Sequence, residues 1–349
     1  MKTQFHTGAV CYIDLLGFSY LTELLEDEEI LNDNSKEKSF GEKQVKELTI
    51  SDFRTLYTFI KTGHLDVLSV DTEHSLTISE WAYEIVDANL KNFHGIVEKA
   101  CSNFQNADYM VISDSLFIVS ENADDVLFIL AAIFRNCIKS GILLRAGLAY
   151  GTYYIVNTHL SSFNIYGTAV TKAVKYERLG KGCRIFTDSD FPSSCNIFSE
   201  NPELFSAYKN YQNYSTLDCF EWLMINDSYV LRQTDLKNLK TSTGFRNAFE
   251  LLCDNLEVYC ALRYSPKYNW NIKTQQGIEH LGVSIEYISA LLDKIYGFCF
   301  VPQPHDLKEI IEDGQKHAKS QKRSDEVEKG VIERKKIELK KILGIYDNV

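Results

Sequence analysis

Two aspartates carry the chemistry that this sequence offers most plainly. Asp14 ends a short apolar run, residues 8–13, that reads as a buried strand. Asp114 lies between two apolar runs within 107–120, at the bend of a predicted β-hairpin. Taken singly, each is a turn former or a helix cap. Taken together they suit something else. Neighbouring strands lie about 4.8 Å apart, so two carboxylates at the same end of adjacent strands can share a pair of divalent cations. Two such cations roughly 4 Å apart clamp the attacking and leaving oxygens of an in-line phosphoryl displacement. After the first aspartate, Leu15-Leu16-Gly17-Phe18-Ser19 makes a glycine turn into a helical pattern. A helix N-terminus offers free N–H groups and a positive dipole end to a polyphosphate.

The elements that must position these groups follow from periodicity and punctuation. A helical spacing follows the strand at 8–13 and its glycine turn. Residues 26–43 are charged and broken by Asn, Ser and Gly, as in an exposed loop. Residues 44–104 are mostly helical in pattern, with Trp81, Ile85, Leu90, Phe93 and Val97 near a 3.6 period. The hairpin at 107–120 is followed by an apolar helix at 123–140, with Asp124 and Asp125 suited to its first turn. Residues 141–155 predict a strand pair, 164–182 a turn and a helix that stops at Gly180, and 184–187 a last strand. The sum is an α+β layer, a largely antiparallel sheet with helices on one face. After about residue 200 the texture turns Tyr- and Leu-rich and mostly helical, and 312–342 reads as a charged, solvated helix. The expected division is a catalytic domain at 1–195, with a charged and helical insertion at about 26–100, and a mostly helical region at 196–349.

Composition narrows the classes. A chain of 349 residues makes one large domain or two ordinary ones, and 45% hydrophobic with 24% charged residues is globular, not disordered. A net charge of -11 argues against broad binding to nucleic acid or anionic membrane, but not against one small phosphate-bearing ligand. Nine cysteines, an odd number with no CxxC pair, predict reduced and mostly buried thiols. No apolar run approaches the ~20 residues that span a bilayer. The expectation is a soluble, cytoplasmic protein.

Three segments, in order, resemble the class III nucleotidyl cyclases over residues 8–190. Asp14-Leu15-Leu16-Gly17-Phe18-Ser19 is similar to their metal and phosphate motif. Ile112-Ser113-Asp114-Ser115 is similar to their second-metal hairpin. Ile165-Tyr166-Gly167-Thr168-Ala169-Val170-Thr171-Lys172-Ala173, with Lys175-Tyr176-Glu177 after it, is similar to their Gly, Val, Asn, Ala segment and the Arg-Leu-Glu beyond. The resemblance implies a ferredoxin-like, palm-type catalytic domain. It implies that Asp14 and Asp114, with the carbonyl of Leu15, hold two Mn²⁺ or Mg²⁺ ions, and that backbone N–H groups around Gly17 and Phe18 hold the β- and γ-phosphates. It implies a head-to-tail homodimer with active sites at the interface. The family's transition-state Asn and Arg fall on Thr171 and Lys175; Lys175 keeps a point charge and Thr171 only a hydroxyl. The base-reading positions fall on Met110 and Asn164, which match neither purine pair. Asn164 offers both a donor and an acceptor, so it suits either pyrimidine. Met110, with Tyr109 beside it and with Phe163 and Tyr166 close to Asn164 in sequence, either fills the space a purine would take or is core.

Asp14 and Asp114 are 100 residues apart, far more than in ordinary members. That insertion, the missing purine code and the C-terminal extension resemble the bacterial pyrimidine cyclases of Pycsar anti-phage systems. The resemblance implies conversion of UTP to cyclic UMP, or of CTP to cyclic CMP, and a separate effector reached through the cyclic nucleotide. Alternatives stay open: a degenerate nucleotide-binding or dimerisation module, suggested by Thr171 and Lys175, and a purine cyclase of unusual specificity. The Gly-Gly-Asp/Glu-Glu-Phe signature of a related palm-type dinucleotide cyclase is absent. Arg145 either reaches phosphate or makes a structural ion pair. His159 is a candidate phosphate ligand, and Arg54 and Tyr57 are candidates for approaching the base.

Overall fold

A computed structural model of the chain describes residues 2–23, 38–40, 43–45, 78–157, 163–210, 215–226, 229–231, 245–264, 268 and 274–296. The expectations for Arg54, Tyr57, His159 and 312–342 fall outside these residues.

The apolar run before Asp14 is part of a longer strand, β1 (Lys2–Leu15). Its first half carries Thr3, Phe5 and Thr7, residue types that favour extended backbone. Next come α1 (Phe18–Glu23) and a small ribbon, β2 (Lys38–Phe40) with β3 (Lys43–Val45). α2 (Ile78–Cys101) follows the predicted helical spacing and buries Phe93 and Val97 completely. β4 (Ala107–Ile112) and β5 (Ser115–Ser120) form the expected hairpin. α3 (Ala123–Lys139) starts at Asn122, whose side-chain oxygen accepts the Asp124 N–H at 3.3 Å. Asp124 and Asp125 then meet the positive end of the helix dipole.

The expected strand pair at 141–155 is instead one strand, β6 (Leu144–Asn157). Gly147 and Gly151 lie inside it. Gly147 is needed for helix packing: a Cβ there would sit 1.9 Å from the carbonyl oxygen of Ala173. That oxygen belongs to α4 (Thr168–Glu177), which follows the short β7 (Phe163–Tyr166). β8 (Ile185–Thr187) is not the last strand. Beyond α5 (Asn196–Glu200) come β9 (Phe205–Asn210), β10 (Ser215–Phe220) and a ribbon of β11 (Ile225–Asn226) with β12 (Tyr229–Val230). Then α6 (Phe245–Tyr264) and α7 (Gln275–Tyr296) supply the helical C-terminal part.

The main sheet runs β4-β5-β1-β6-β8-β10-β9, with β7 also paired to β6. The fold is α+β and the sheet largely antiparallel; among the described residues only β6 and β8 pair in parallel. Strand pairing passes residue 195, because β10 adds to β8 and β9 to β10.

The described residues fall into two compact units. The first draws on Met1–Leu15, Phe93–Cys137 and Leu144–Arg232 and contains the main sheet. Val10, Val119, Ala149, Tyr153 and Ile155 of the sheet pack with Ala169 and Ala173 of α4. Small residues at those two helix positions, four apart, let the helix lie close on β6. The second unit draws on Leu16–Asn92, Ile138–Leu143 and Gln233–Val349. Within it, Lys139 pairs with Asp254 and Glu257 of α6.

The eight described cysteines form no disulfide with one another, and seven of them are buried. Burial pushes the Cys101 and Cys195 thiols up to about 12. Among the described residues no helix is long and apolar enough to cross a membrane.

Candidate active site

Strand alternation puts Val10, Tyr12 and Asp14 on the face of β1 that carries α4. Asp14 pairs with Ser115 of β5 on one side and with Arg145 of β6 on the other. The β4–β5 turn is the two-residue step Ser113-Asp114. Ser113 has a φ of 56°, a left-handed value that glycine usually supplies at the first central position of such hairpins. The carbonyl of Asp114 accepts the N–H of Leu15 at 3.1 Å. The turn is thereby fastened to the end of β1, which puts Asp14 and Asp114 at the same end of the sheet.

The charge balance there is acidic. Burial pushes the Asp14 carboxyl up to about 6, with Glu177 and Asp114 adding to the rise. Arg145 and the Ser115 hydroxyl pull the other way. Arg145 is committed elsewhere: its Nε donates to Glu177 Oε1 at 2.6 Å and its Nη1 to the carbonyl of Gly180 at 2.8 Å. Of the two roles open to Arg145, the structure shows the ion pair. Glu177 is 2% exposed and lies on the buried side of α4, at the same helical spacing as Ala169 and Ala173.

Glu177, Ser115 and Tyr12 were not singled out as site residues from sequence. The signal for Tyr12 was present in the period of two that relates it to Asp14 on β1; Ser115 is related to Asp14 only by the register of β5 on β1. The signal for Glu177 was a carboxylate at an otherwise apolar helix position.

The donors fit a divalent cation. An acidic end whose nearest guanidinium is already paired leaves negative charge that a dication would neutralise. Among the described residues no group of three or more His, Cys, Asp and Glu forms a complete cage. Asp14, Asp114 and the carbonyl of Leu15 would leave positions for water and phosphate oxygens, the usual arrangement for Mg²⁺.

Other expected site residues are distributed as follows. Gly17, with a φ of 80°, and Phe18, the buried first residue of α1, belong to the second unit. Thr171 and Lys175 are exposed and one helical turn apart on α4. The Thr171 hydroxyl donates to the Gly167 carbonyl at 3.2 Å. Gly167 itself has a φ of 144°, and a Cβ there would sit 2.5 Å from the Thr152 carbonyl oxygen. Met110 pairs with Phe117, which pairs with Tyr12, so it lies near the Asp14 end of the ladder. Asn164 is exposed and pairs with Val156, which pairs with Thr3. Tyr12 and Thr3 are nine residues apart on β1. That is about 30 Å of strand at roughly 3.3 Å per residue. Strand pairing within one chain therefore does not join Met110 to Asn164.

No protein-family model matches the sequence, and no curated protein does. Solved structures with a similar chain trace include a bacterial light-regulated adenylyl cyclase, at 12% identity and a TM-score of 0.37. The match covers 66% of this chain and 55% of that one. The guanylyl cyclase Cya2 has 11% identity and a TM-score of 0.39, over 66% of this chain and all, 100%, of that one. The adenylyl cyclase CyaB from P. aeruginosa has 11% identity and a TM-score of 0.34, over 63% of this chain and 95% of that one. At these values the likeness carries no functional argument, which rests on the chain's own residues.

Proposed function

We propose that the protein is a nucleotidyl cyclase that converts UTP to 3′,5′-cyclic UMP and pyrophosphate. The observation that supports this most is the placing of Asp14 and Asp114 at the same end of the sheet by the bond from the Leu15 N–H to the Asp114 carbonyl. In this reading Asp14, Asp114 and the Leu15 carbonyl hold two Mn²⁺ or Mg²⁺ ions. Bound there, the ions supply charge neutralisation and lower the pKa of the ribose 3′-hydroxyl. Backbone N–H groups around Gly17 and Phe18 orient the β- and γ-phosphates. Lys175 offsets phosphate charge, and Thr171 offers a hydroxyl. Asn164 hydrogen-bonds the pyrimidine; Met110, which strand pairing within one chain does not join to Asn164, would fill the space beside that base only from the other protomer.

The 3′-oxygen forms its bond to the α-phosphorus as the bond to the departing pyrophosphate breaks. Nucleophile and electrophile are already tethered, so the chain's task is positioning and charge stabilisation. The reading includes a homodimer with active sites at its interface, a cytoplasmic setting, and an anti-phage role in which the product activates a separate effector. CTP, giving cyclic CMP, is the alternative substrate.

A second reading is a nucleotide-binding or dimerisation module without turnover. It is favoured by the Thr171 hydroxyl, which is bonded back to its own helix and not held toward a ligand. Incubation with each of the four nucleoside triphosphates and Mn²⁺, with products identified by mass spectrometry, separates these. Cyclic UMP is expected. Cyclic CMP selects the alternative substrate, and no cyclic product from any triphosphate selects the binding module.

A further inference from the structure

Asp14 is held by one side of its carboxylate. The Ser115 hydroxyl donates to Oδ1 at 3.2 Å. Among the described residues this is the one hydrogen bond to the Asp14 side chain; no donor reaches Oδ2, and no cationic side chain lies within ion-pair distance. Arg145, opposite Asp14 across the ladder, is held by Glu177 and the Gly180 carbonyl.

The Ser115 oxygen also lies 3.0 Å from the Tyr12 hydroxyl. A hydroxyl has one hydrogen, and an ionised carboxylate can only accept. Ser115 therefore spends its hydrogen on Asp14 and accepts from Tyr12. The donor order is fixed: Tyr12 to Ser115, Ser115 to Asp14. Strand register sets the triangle. Tyr12 and Asp14 are one alternation apart on β1, and Ser115 stands opposite Asp14 on β5. Tyr12 is itself braced by Phe117, its direct partner on β5, with ring centroids 4.8 Å apart and planes tilted by 43°.

We infer that Ser115, oriented by Tyr12, is a positioning residue that clamps Oδ1 of Asp14 so that Oδ2 faces the cation. The inference rests on the metal site of the proposed cyclase. It goes beyond it by assigning two residues that touch neither metal nor nucleotide. Partners of this kind fix the orientation of a ligand, and their loss typically weakens metal binding by roughly 10- to 100-fold.

The test is Mn²⁺ binding by the full-length protein, followed by calorimetry and by the loss of the free-ion electron paramagnetic resonance signal. Ser115→Ala should weaken Mn²⁺ binding by about tenfold, the lower end for a half-exposed site. Ser115→Thr, which keeps the hydroxyl, should restore it. Tyr12→Phe should give a smaller loss, because Ser115 keeps its hydrogen but not its orientation. The metal-free melting temperature is measured alongside, so that a fold defect is not read as a binding defect.

Wild-type affinity in Ser115→Ala overturns the inference and leaves the cyclase reading standing. Absence of Mn²⁺ binding by the wild type overturns both. If Ser115→Ala does not fold, Tyr12→Phe decides, and an unchanged affinity there overturns the inference.

Discussion

The backbone N–H of Leu15 reaches the carbonyl of Asp114 at 3.1 Å. One main-chain bond thus couples the end of β1 to the tip of a hairpin that arrives 100 residues later in the sequence. It involves neither carboxylate, so both remain available for chemistry while the backbone beneath them is fixed.

From this, Asp14→Asn and Asp114→Asn should each lower cyclisation by about a thousandfold, the scale of several kcal/mol of lost charge stabilisation. The amide has nearly the shape of the acid and still accepts from Ser115, so the fold should survive. Circular dichroism and product quantification with Mn²⁺ check both halves. Near wild-type turnover in either variant would remove the basis of the metal assignment.

The Asp14 carboxyl supplies a pH prediction for the metal-free protein. Its value in the fold is about 6, against 3.8 for the free group, so between these values the folded state binds more protons than the unfolded. Stability from this group is therefore full at acid pH and declines as pH rises from about 4 to about 6, then levels off. Melting temperatures of wild type and Asp14→Asn should diverge across that window, wild type losing ground. Added Mn²⁺ should recover the loss above it. A gap between the two proteins that is flat with pH would contradict this.

Arg145→Ala should be strongly destabilising. It leaves Glu177, 2% exposed, without its guanidinium, and leaves the Gly180 carbonyl without a donor. Removing one partner of a buried ion pair costs about 3–5 kcal/mol. Arg145→Lys should recover only part, because an ammonium cannot serve Glu177 and Gly180 together as a planar fork does. Urea unfolding of the three proteins measures the series.

Ser113 is the one described non-glycine residue with a positive φ. Ser113→Gly should stabilise the hairpin by up to about 1 kcal/mol, since a left-handed conformation costs an L-residue roughly 1–2 kcal/mol and glycine little. Ser113→Val should do the reverse. The same urea measurements apply.

The part of the site that sequence made legible is the part marked by local contrast. Asp14 and Asp114 interrupt apolar runs, and that is why a strand end and a hairpin bend were predictable there. What the sequence did not show for Glu177 is its partner, because Arg145 lies 32 residues away. β6 was misjudged as two strands because glycine normally punctuates a strand. Gly147 is there for contact with α4 and leaves the strand unbroken. β9 and β10 were hidden by their Lys, Asn and Asp residues, which blur the alternation expected of a strand.

The ladder between β1 and β6 runs unbroken from Lys2–Asn157 to Leu15–Leu144. Asp14 is consequently located by counting. A single residue inserted upstream within β1, with its outer pairs kept, would hand the acid's place to Ile13 and turn the acid to the opposite side of the sheet. Here a change of length is graver than a change of identity. Most side chains of this strand can be exchanged with graded loss, but its tally of residues tolerates no error of one.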